Sequence, residues 1–312
     1  MASAMMSPDS AWAGVSEVVG IGAATLDSLW TVSSFSGNEM VQMAQDRKVM
    51  GGGPVATALC VLARLGHRAA LLDVCGDDAT GDQIIEELNR FGVSTSSIQR
   101  CGGANSAQAV VIVRSGDAAR QIIFHPSSAG EPVLDVETKG VIRNARLLHI
   151  NGRHESVARE AVQEARRAGV LISFDGGAGR YRESIRDLLE ASQVRIVSRE
   201  FATHWSGKSE ISDMLECLIQ PPALVAVITD GMSGSDGICL NGIKHHQPAF
   251  KADPLVDSTG CGDVYHGGFL HGWLCGWELP MCAEFASRLA ARNAEGLGGR
   301  YVCLSGTQLL AC

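Results

Sequence analysis

Asp257-Ser258-Thr259-Gly260-Cys261-Gly262-Asp263, running straight into Val264-Tyr265-His266-Gly267-Gly268-Phe269-Leu270, carries more information than any other part of the chain. Small residues lead into an expected helix, and a carboxylate stands in that helix's first turn. Gly260, Cys261 and Gly262 leave backbone N–H groups uncovered, so an anion can approach them. A helix start adds unpaired donors and the positive end of the dipole. Asp263 then has two readings. It can cap the helix, or it can take a proton from an attacking hydroxyl while the amides hold the developing charge. Phosphoryl transfer to an alcohol needs both parts side by side.

A second glycine cluster far upstream, Gly51-Gly52-Gly53-Pro54, weighs toward the second reading. It opens an expected helix over 54–65, with Pro in the first turn and Gly66 after the end. One glycine would serve a helix-entry turn; three in succession point to close approach to the backbone, as by a polyhydroxy ligand. Asp27, just after the first strand's glycines, suits either hydrogen bonds to ligand hydroxyls or a turn. Gly20-x-Gly22-x-x-Thr25 has the outline of a dinucleotide fingerprint, but the third glycine is missing and sheet is expected to follow.

With 312 residues and 46% apolar content, the chain can bury a large core, as one big domain or a big one with a small companion. A formal charge of −8 without any block of Lys or Arg argues against nucleic acid and membrane as partners. No apolar run approaches the roughly 20 residues that span a bilayer. Residues 1–14 are small and polar and suit a disordered tail rather than a secretion signal. Ten scattered cysteines without a CxxC pair fit reduced thiols of a cytoplasmic protein better than disulfides or a zinc site.

Residues 18–22 read as a buried strand, and 31–50 alternate as a half-exposed sheet would. Strands are expected at 69–72, 108–114, 120–124, 147–150, 170–174, 194–197 and 224–228. Helices are expected at 81–91, 155–168, 182–191, 210–219, 262–275 and 280–294. Apolar strands alternating with helices imply an α/β fold with a mostly parallel sheet covered on both faces. Two β-rich pieces, about 28–50 and 97–125, interrupt that scheme and suit a small separate sheet.

Thr229-Asp230-Gly231-Met232-Ser233-Gly234 follows a parallel strand at its carboxyl end, where open sheets bind ligands; a nucleotide site or a plain turn would both look like this. No GxxxxGK[ST] occurs, so ATP use would not be of the P-loop type. His245-His246 reads as part of a β-turn without metal partners, and His149 as a core histidine. Cys261 is small enough for the anion cradle, and the helix start could lower its thiol pKa.

Together these motifs resemble the ribokinase-like (PfkB-type) carbohydrate kinases from about Val18 to Gly299. Gly51-Gly52-Gly53-Pro54-Val55-Ala56-Thr57-Ala58, with Ala63-Arg64-Leu65-Gly66, is similar to the family's N-terminal signature. Asp257 to Asp263 is similar to its C-terminal one, D-T-x-G-A-G-D. His149-Ile150-Asn151-Gly152-Arg153 and Val197-Ser198-Arg199-Glu200 resemble ketohexokinase-type members. The Gly-Gly-Gly-Pro-x-Ala-Thr segment and Gln247-Pro248-Ala249-Phe250-Lys251 resemble bacterial sulfofructose kinases.

The resemblance implies a three-layer αβα ribokinase-like fold with a β-sheet lid that pairs two subunits. It implies that Asp263 is the base, with Gly260, Cys261 and Gly262 as the anion hole. Asp27, Gly51, Gly52, Gly53 and Arg153 would hold a sugar, and Thr229, Gly231, Gly234 and Ser198 the nucleotide of ATP. Glu200 would organise Mg2+, and Asp257 with Thr259 would lie by a K+ site. The chain departs from the pattern where Ala56 and Val197 replace asparagines and Cys261 replaces alanine. The Lys and Asn expected around a sulfonate fall on Val41 and Phe124, and only Arg153 matches. The expected activity is phosphorylation of a small sugar's primary hydroxyl, ketohexose-like. A nucleoside or sugar-acid kinase and a silent sugar-binding regulator are the alternatives.

Overall fold

The computed structural model describes residues 16–35, 37 and 41–304, so the tail expected over 1–14 lies outside the described residues. In chain order the strands are β1 (Val18–Ile21), β2 (Thr25–Val32), β3 (Asp46–Gly52), β4 (Ala69–Gly76), β5 (Val93–Ser94), β6 (Ile98–Cys101) and β7 (Gln108–Arg114). They continue with β8 (Arg120–His125), β9 (Leu147–Ile150), β10 (Leu171–Gly176), β11 (Val194–Ser198), β12 (Val225–Thr229), β13 (Ser235–Cys239) and β14 (Lys244–Gln247). The helices are α1 (Pro54–Arg64), α2 (Ala79–Arg90), α3 (Val136–Arg143), α4 (Glu155–Ala168) and α5 (Arg186–Glu190). After them come α6 (Arg199–Ser206), α7 (Ile211–Leu218), α8 (Cys261–Leu274), α9 (Leu279–Asn293) and α10 (Tyr301–Leu304).

The large sheet has the order β14-β13-β12-β11-β10-β9-β1-β4-β5, and β6 also pairs with β4. From β12 to β5 the pairings are parallel, each needing a crossover that helices supply. The β13–β14 hairpin closes one edge antiparallel. Alternation along β1 explains the layering: Val18 enters one apolar core with Leu59 and Phe269, while its neighbour Val19 enters the other with Phe174 and Phe201. Helices therefore cover both faces, as expected.

The second sheet has the order β3-β2-β7-β8. Its limits differ from the expected ones. β2 already begins at Thr25, whereas 98–101 is β6, a parallel partner of β4 in the large sheet. Residues 33–35 and 41–45 are not strand, although their polar–apolar alternation resembles one. Register puts Asp27, Ala109 and Phe124 on one face with Leu29, Val111 and Ile122. That face looks inward, because Leu29 and Val111 pack with Met50 and Leu297. The opposite face exposes Val49, Val110 and Ile123.

His245 and His246 lie in strand β14, not in a turn, and His246 Nδ1 pairs with Asp236 Oδ1 across the hairpin at 2.9 Å. The helix expected at 182–191 is a 3-10 turn (Glu183–Ile185) followed by the short α5. Three short helices (α3, α6 and α10) and strands β5, β6, β13 and β14 carry too little periodic pattern to be anticipated.

Candidate active site

At Gly260 a φ of 72° turns the chain into α8, and a Cβ there would strike the Gly299 backbone at 2.5 Å. Only glycine serves at that point. Val264 N donates to Gly260 O at 2.8 Å as the first helical bond, and Cys261 N makes only a 3.4 Å bond back to Ser258 O. The N–H groups of Gly262 and Asp263 belong to the first turn, whose donors have no partner within the helix. A Cβ on Gly262 would meet nothing within 4 Å, so this turn opens onto free space.

Asp263 stands in the same turn with its side chain 19% exposed. Burial pushes its pKa up to about 6, opposed by the Arg180 guanidinium 3.9 Å from Oδ1. Arg180 also donates to Asp175 Oδ2 at 3.2 Å, and Asp175 Oδ1 pairs with His266 Nε2 at 3.2 Å. Burial opposes ionisation of Asp175, but His266 and Arg180 outweigh it and hold the carboxyl below its usual range. From the lid, Arg120 donates to Ser258 Oγ at 2.5 Å, and that hydroxyl donates to Ala118 O at 3.2 Å. The β7–β8 turn is thereby tied to the loop ahead of α8.

The helix start does not activate Cys261. Burial pushes its thiol up to about 12, and Sγ sits 4.0 Å from Asn293 Nδ2, so its contribution is small size.

At the other glycine cluster, a Cβ on Gly52 would lie 2.1 Å from Asp27 Oδ2, and one on Gly51 2.2 Å from Arg300 Nη1. The close approach announced by these glycines is thus made by the protein's own charged side chains. Buried Arg300 donates to Gly52 O at 2.6 Å, to Thr57 Oγ1 at 3.2 Å and to Glu87 Oε1 at 3.1 Å. Glu87 Oε2 accepts from Gly51 N at 2.8 Å. Asp27 accepts from Thr25 Oγ1 at 2.6 Å, and burial raises its pKa. Gly53 supplies the turn into α1 with φ 90°.

Arg153 follows β9 and lies with its guanidinium 5.2 Å from the centroid of Phe124 on the inner lid face. Among the described residues no carboxylate pairs with it. Burial lowers its pKa, and Arg182 and Arg180 add to that effect.

Thr229 and Ser198 are register partners at the ends of β12 and β11. Ser198 Oγ accepts from Phe201 N at 3.1 Å and caps α6, which accounts for this serine without a nucleotide. Gly231 and Gly234 bracket a 3-10 turn, and a Cβ on Gly234 would lie 2.0 Å from Gln247 O. Glu200, in the first turn of α6, accepts from Gly179 N at 3.2 Å, one residue from Arg180. Asp257 is buried, with Oδ1 on Thr259 N at 2.8 Å and Oδ2 on Gly298 N at 2.9 Å. Among the described residues Thr259 Oγ1 is buried without a partner. His149 bonds Ser173 Oγ through Nδ1 at 3.0 Å, while its Nε2 has no partner among the described residues.

Sequence reasoning missed Arg180, Asp175, His266, Arg120 and the Arg300–Glu87 pair. His266, three positions after Asp263 and so on the same helix face, was open to inference. The arginines arrive through tertiary contacts with no local pattern.

A profile of the pfkB family of carbohydrate kinases matches residues 15–305. The chain belongs to that family. It is a phosphotransferase with an alcohol acceptor, of the sugar and nucleoside kinase kind. A nucleoside kinase of Methanothermobacter thermautotrophicus is 27% identical over 290 residues, covering 90% of each chain. An Arabidopsis thaliana protein named "Probable fructokinase-2" is 29% identical over 277 residues, covering 81% of this chain and 80% of its own. Arabidopsis thaliana ribokinase, solved with ribose and ATP, is 20% identical with a TM-score of 0.79 over 95% of this chain and 98% of its own, a likeness of fold.

Proposed function

We propose that this kinase transfers the γ-phosphoryl group of ATP to the primary hydroxyl of a small, ketohexose-like sugar. The observation that carries the proposal is the joint position of Asp263 and the open first turn of α8. In this reading the Asp263 carboxylate accepts the hydroxyl proton as oxygen attacks phosphorus. The amides of Gly260, Cys261 and Gly262 bind the equatorial oxygens, each such donor being worth roughly 3 kcal/mol. Asp27 and the backbone of Gly51, Gly52 and Gly53 bind sugar hydroxyls. Thr229, Gly231 and Gly234 line the nucleotide site, with Ser198 as the neighbouring helix cap.

The donor set suits metal ions. Glu200 keeps free carboxylate lone pairs beside the Arg180 loop and would hold Mg2+ through water; the ion would neutralise phosphate charge. The unpartnered Thr259 Oγ1 suits a K+ ion, whereas both Asp257 oxygens are committed to backbone amides and shape that loop. The exposed outer lid face, with Val49, Val110 and Ile123 around a groove of about 520 Å3, suits a second copy of the chain and gives a homodimer in the cytoplasm. Ile123→Glu should then yield monomers in sedimentation.

Arg153 favours a second reading, a sugar acid or other anionic acceptor, because it is exposed, has no carboxylate partner among the described residues and has cationic neighbours. A panel of fructose, ribose, adenosine and sugar acids, scored by ADP release, decides between the two. ADP release with none of them would remove the small-sugar assignment.

A further inference from the structure

At the far end of α8 from Asp263, four side chains from three parts of the chain meet. Glu17 precedes β1, His67 lies in the turn between α1 and β4, and His271 and Cys275 sit at the last turn of α8. Along α8, at about 1.5 Å per residue, His271 and Cys275 lie roughly 12 and 18 Å beyond Asp263. Nothing in phosphoryl transfer uses it. His67 Nδ1 bonds Glu17 Oε2 at 2.9 Å, His67 Nε2 lies 2.9 Å from His271 Nδ1, and Cys275 Sγ lies 4.0 Å from His271 Nε2. Glu17 is paired in addition with Arg146, which also donates to Leu274 O at 2.9 Å.

We propose that His67, His271 and Cys275 form a binding site for a zinc-like divalent ion, distinct from the kinase centre. One nitrogen from each histidine and Cys275 Sγ lie within 4.8 Å of one another. Tetrahedral zinc, with bonds of about 2.0–2.3 Å, needs donor separations of about 3.3–3.6 Å. His67 Nε2 and His271 Nδ1 are slightly closer than that, and the thiol, within 4.8 Å of the ligand nitrogens, must move in by up to about an ångström. Cys275 can do so because it is exposed at the C-cap of the helix.

Three features favour an ion over a plain hydrogen-bond chain. His271 and Cys275 are spaced i, i+4, so one helix face offers two ligands together. Glu17 on His67 Nδ1 fixes the tautomer that bares Nε2, the carboxylate–histidine arrangement found behind metal ligands. Two nitrogens and a sulfur select zinc-like ions over Mg2+ or Ca2+, which take oxygen ligands. Three protein ligands leave a fourth position on the exposed side for water. No local spacing in the sequence announces this set, since the first histidine lies far from the other two ligands.

The test uses the full-length chain, stripped with a chelator and titrated with Co2+ and then Zn2+. One equivalent of Co2+ should give the intense sulfur-to-cobalt charge-transfer band and tetrahedral visible bands, both removed by Zn2+. Cys275→Ser should abolish the charge-transfer band, and Glu17→Gln should weaken Zn2+ binding about 10–100-fold. Zn2+ should raise the melting temperature of the wild type but not of Cys275→Ser, whose metal-free melting temperature serves as the folding control. Absence of a stoichiometric cobalt spectrum would overturn the site. So would an unchanged spectrum in Cys275→Ser, because the ion would then sit on other cysteines.

Discussion

Replacing Arg180 by Gln should move the acid limb of the pH–rate profile upward. The Arg180 guanidinium lies 3.9 Å from Asp263 Oδ1, and its charge is the chief influence opposing burial of that carboxyl. At an effective dielectric constant of about 20, unit charges at that distance interact by roughly 4 kcal/mol. Arg180 is 32% exposed, and solvent screening cuts the interaction to about 2 kcal/mol. One pKa unit corresponds to about 1.36 kcal/mol, so the limb should rise by roughly 1–2 units. The assay is kcat/KM for the best acceptor across the pH range, at saturating ATP and Mg2+. The wild-type limb should lie near the Asp263 value of about 6, and that of Arg180→Gln well above it. Arg180→Lys, which keeps the charge, should stay close to wild type. The height of the profile will also change if Arg180 meets phosphate, so the position of the limb is what decides. A limb that stays put or falls in Arg180→Gln would mean that the titrating base is not Asp263.

Asp263→Asn should lower kcat by about 10²–10⁴-fold while ATP still binds, read by turnover and by nucleotide titration. The same variant should be more stable than wild type above about pH 6 but not near pH 4, read by thermal melting. A carboxyl with a raised folded pKa favours the fold below its unfolded value and loses that advantage as pH rises through about 6, a loss of roughly 3 kcal/mol at most, which Asn never incurs. Gly52→Ala should raise the sugar KM and cost about 1–3 kcal/mol of stability, because its methyl group meets Asp27 Oδ2 at 2.1 Å; urea unfolding and acceptor kinetics check it.

The large sheet was legible because its strands are buried on both faces and its helices have strong periodicity. The 155–168 helix coincides with α4, and the strand expected over 18–22 ends one residue earlier, as β1 (Val18–Ile21). The lid was legible as a separate sheet but not in its limits, since 98–101 is a short polar strand whose partner β4 is set by tertiary packing. The two glycine clusters were readable as points of close approach. What comes close was not: at Gly51 and Gly52 it is Arg300 and Asp27, side chains 249 and 25 positions away in the chain, as their numbers give. At Cys261 the sequence leaves a lowered pKa open, because the helix dipole is visible in sequence and burial is not.

The segment Gly298-Gly299-Arg300 joins the two glycine clusters, and this makes Arg300 the strongest remaining target. Gly298 N is held by Asp257, Gly299 packs against Gly260, and Arg300 grips Gly52 O and Glu87. Arg300→Met leaves Glu87 buried with Gly51 N and the outlying Arg90, whose Nη2 is 3.5 Å from Glu87 Oε2. Breaking one side of such a buried pair costs about 3–5 kcal/mol, so urea unfolding should show a large loss. Combining it with Glu87→Gln removes the orphaned charge and should recover part of that loss, whereas independent roles would make the costs add. Arg300 also lowers the pKa of Asp27, so the single variant should bind sugar more weakly at neutral pH even where it stays folded. Retention of both stability and sugar KM in Arg300→Met would mean that the glycine loop holds its shape without the C-terminal segment.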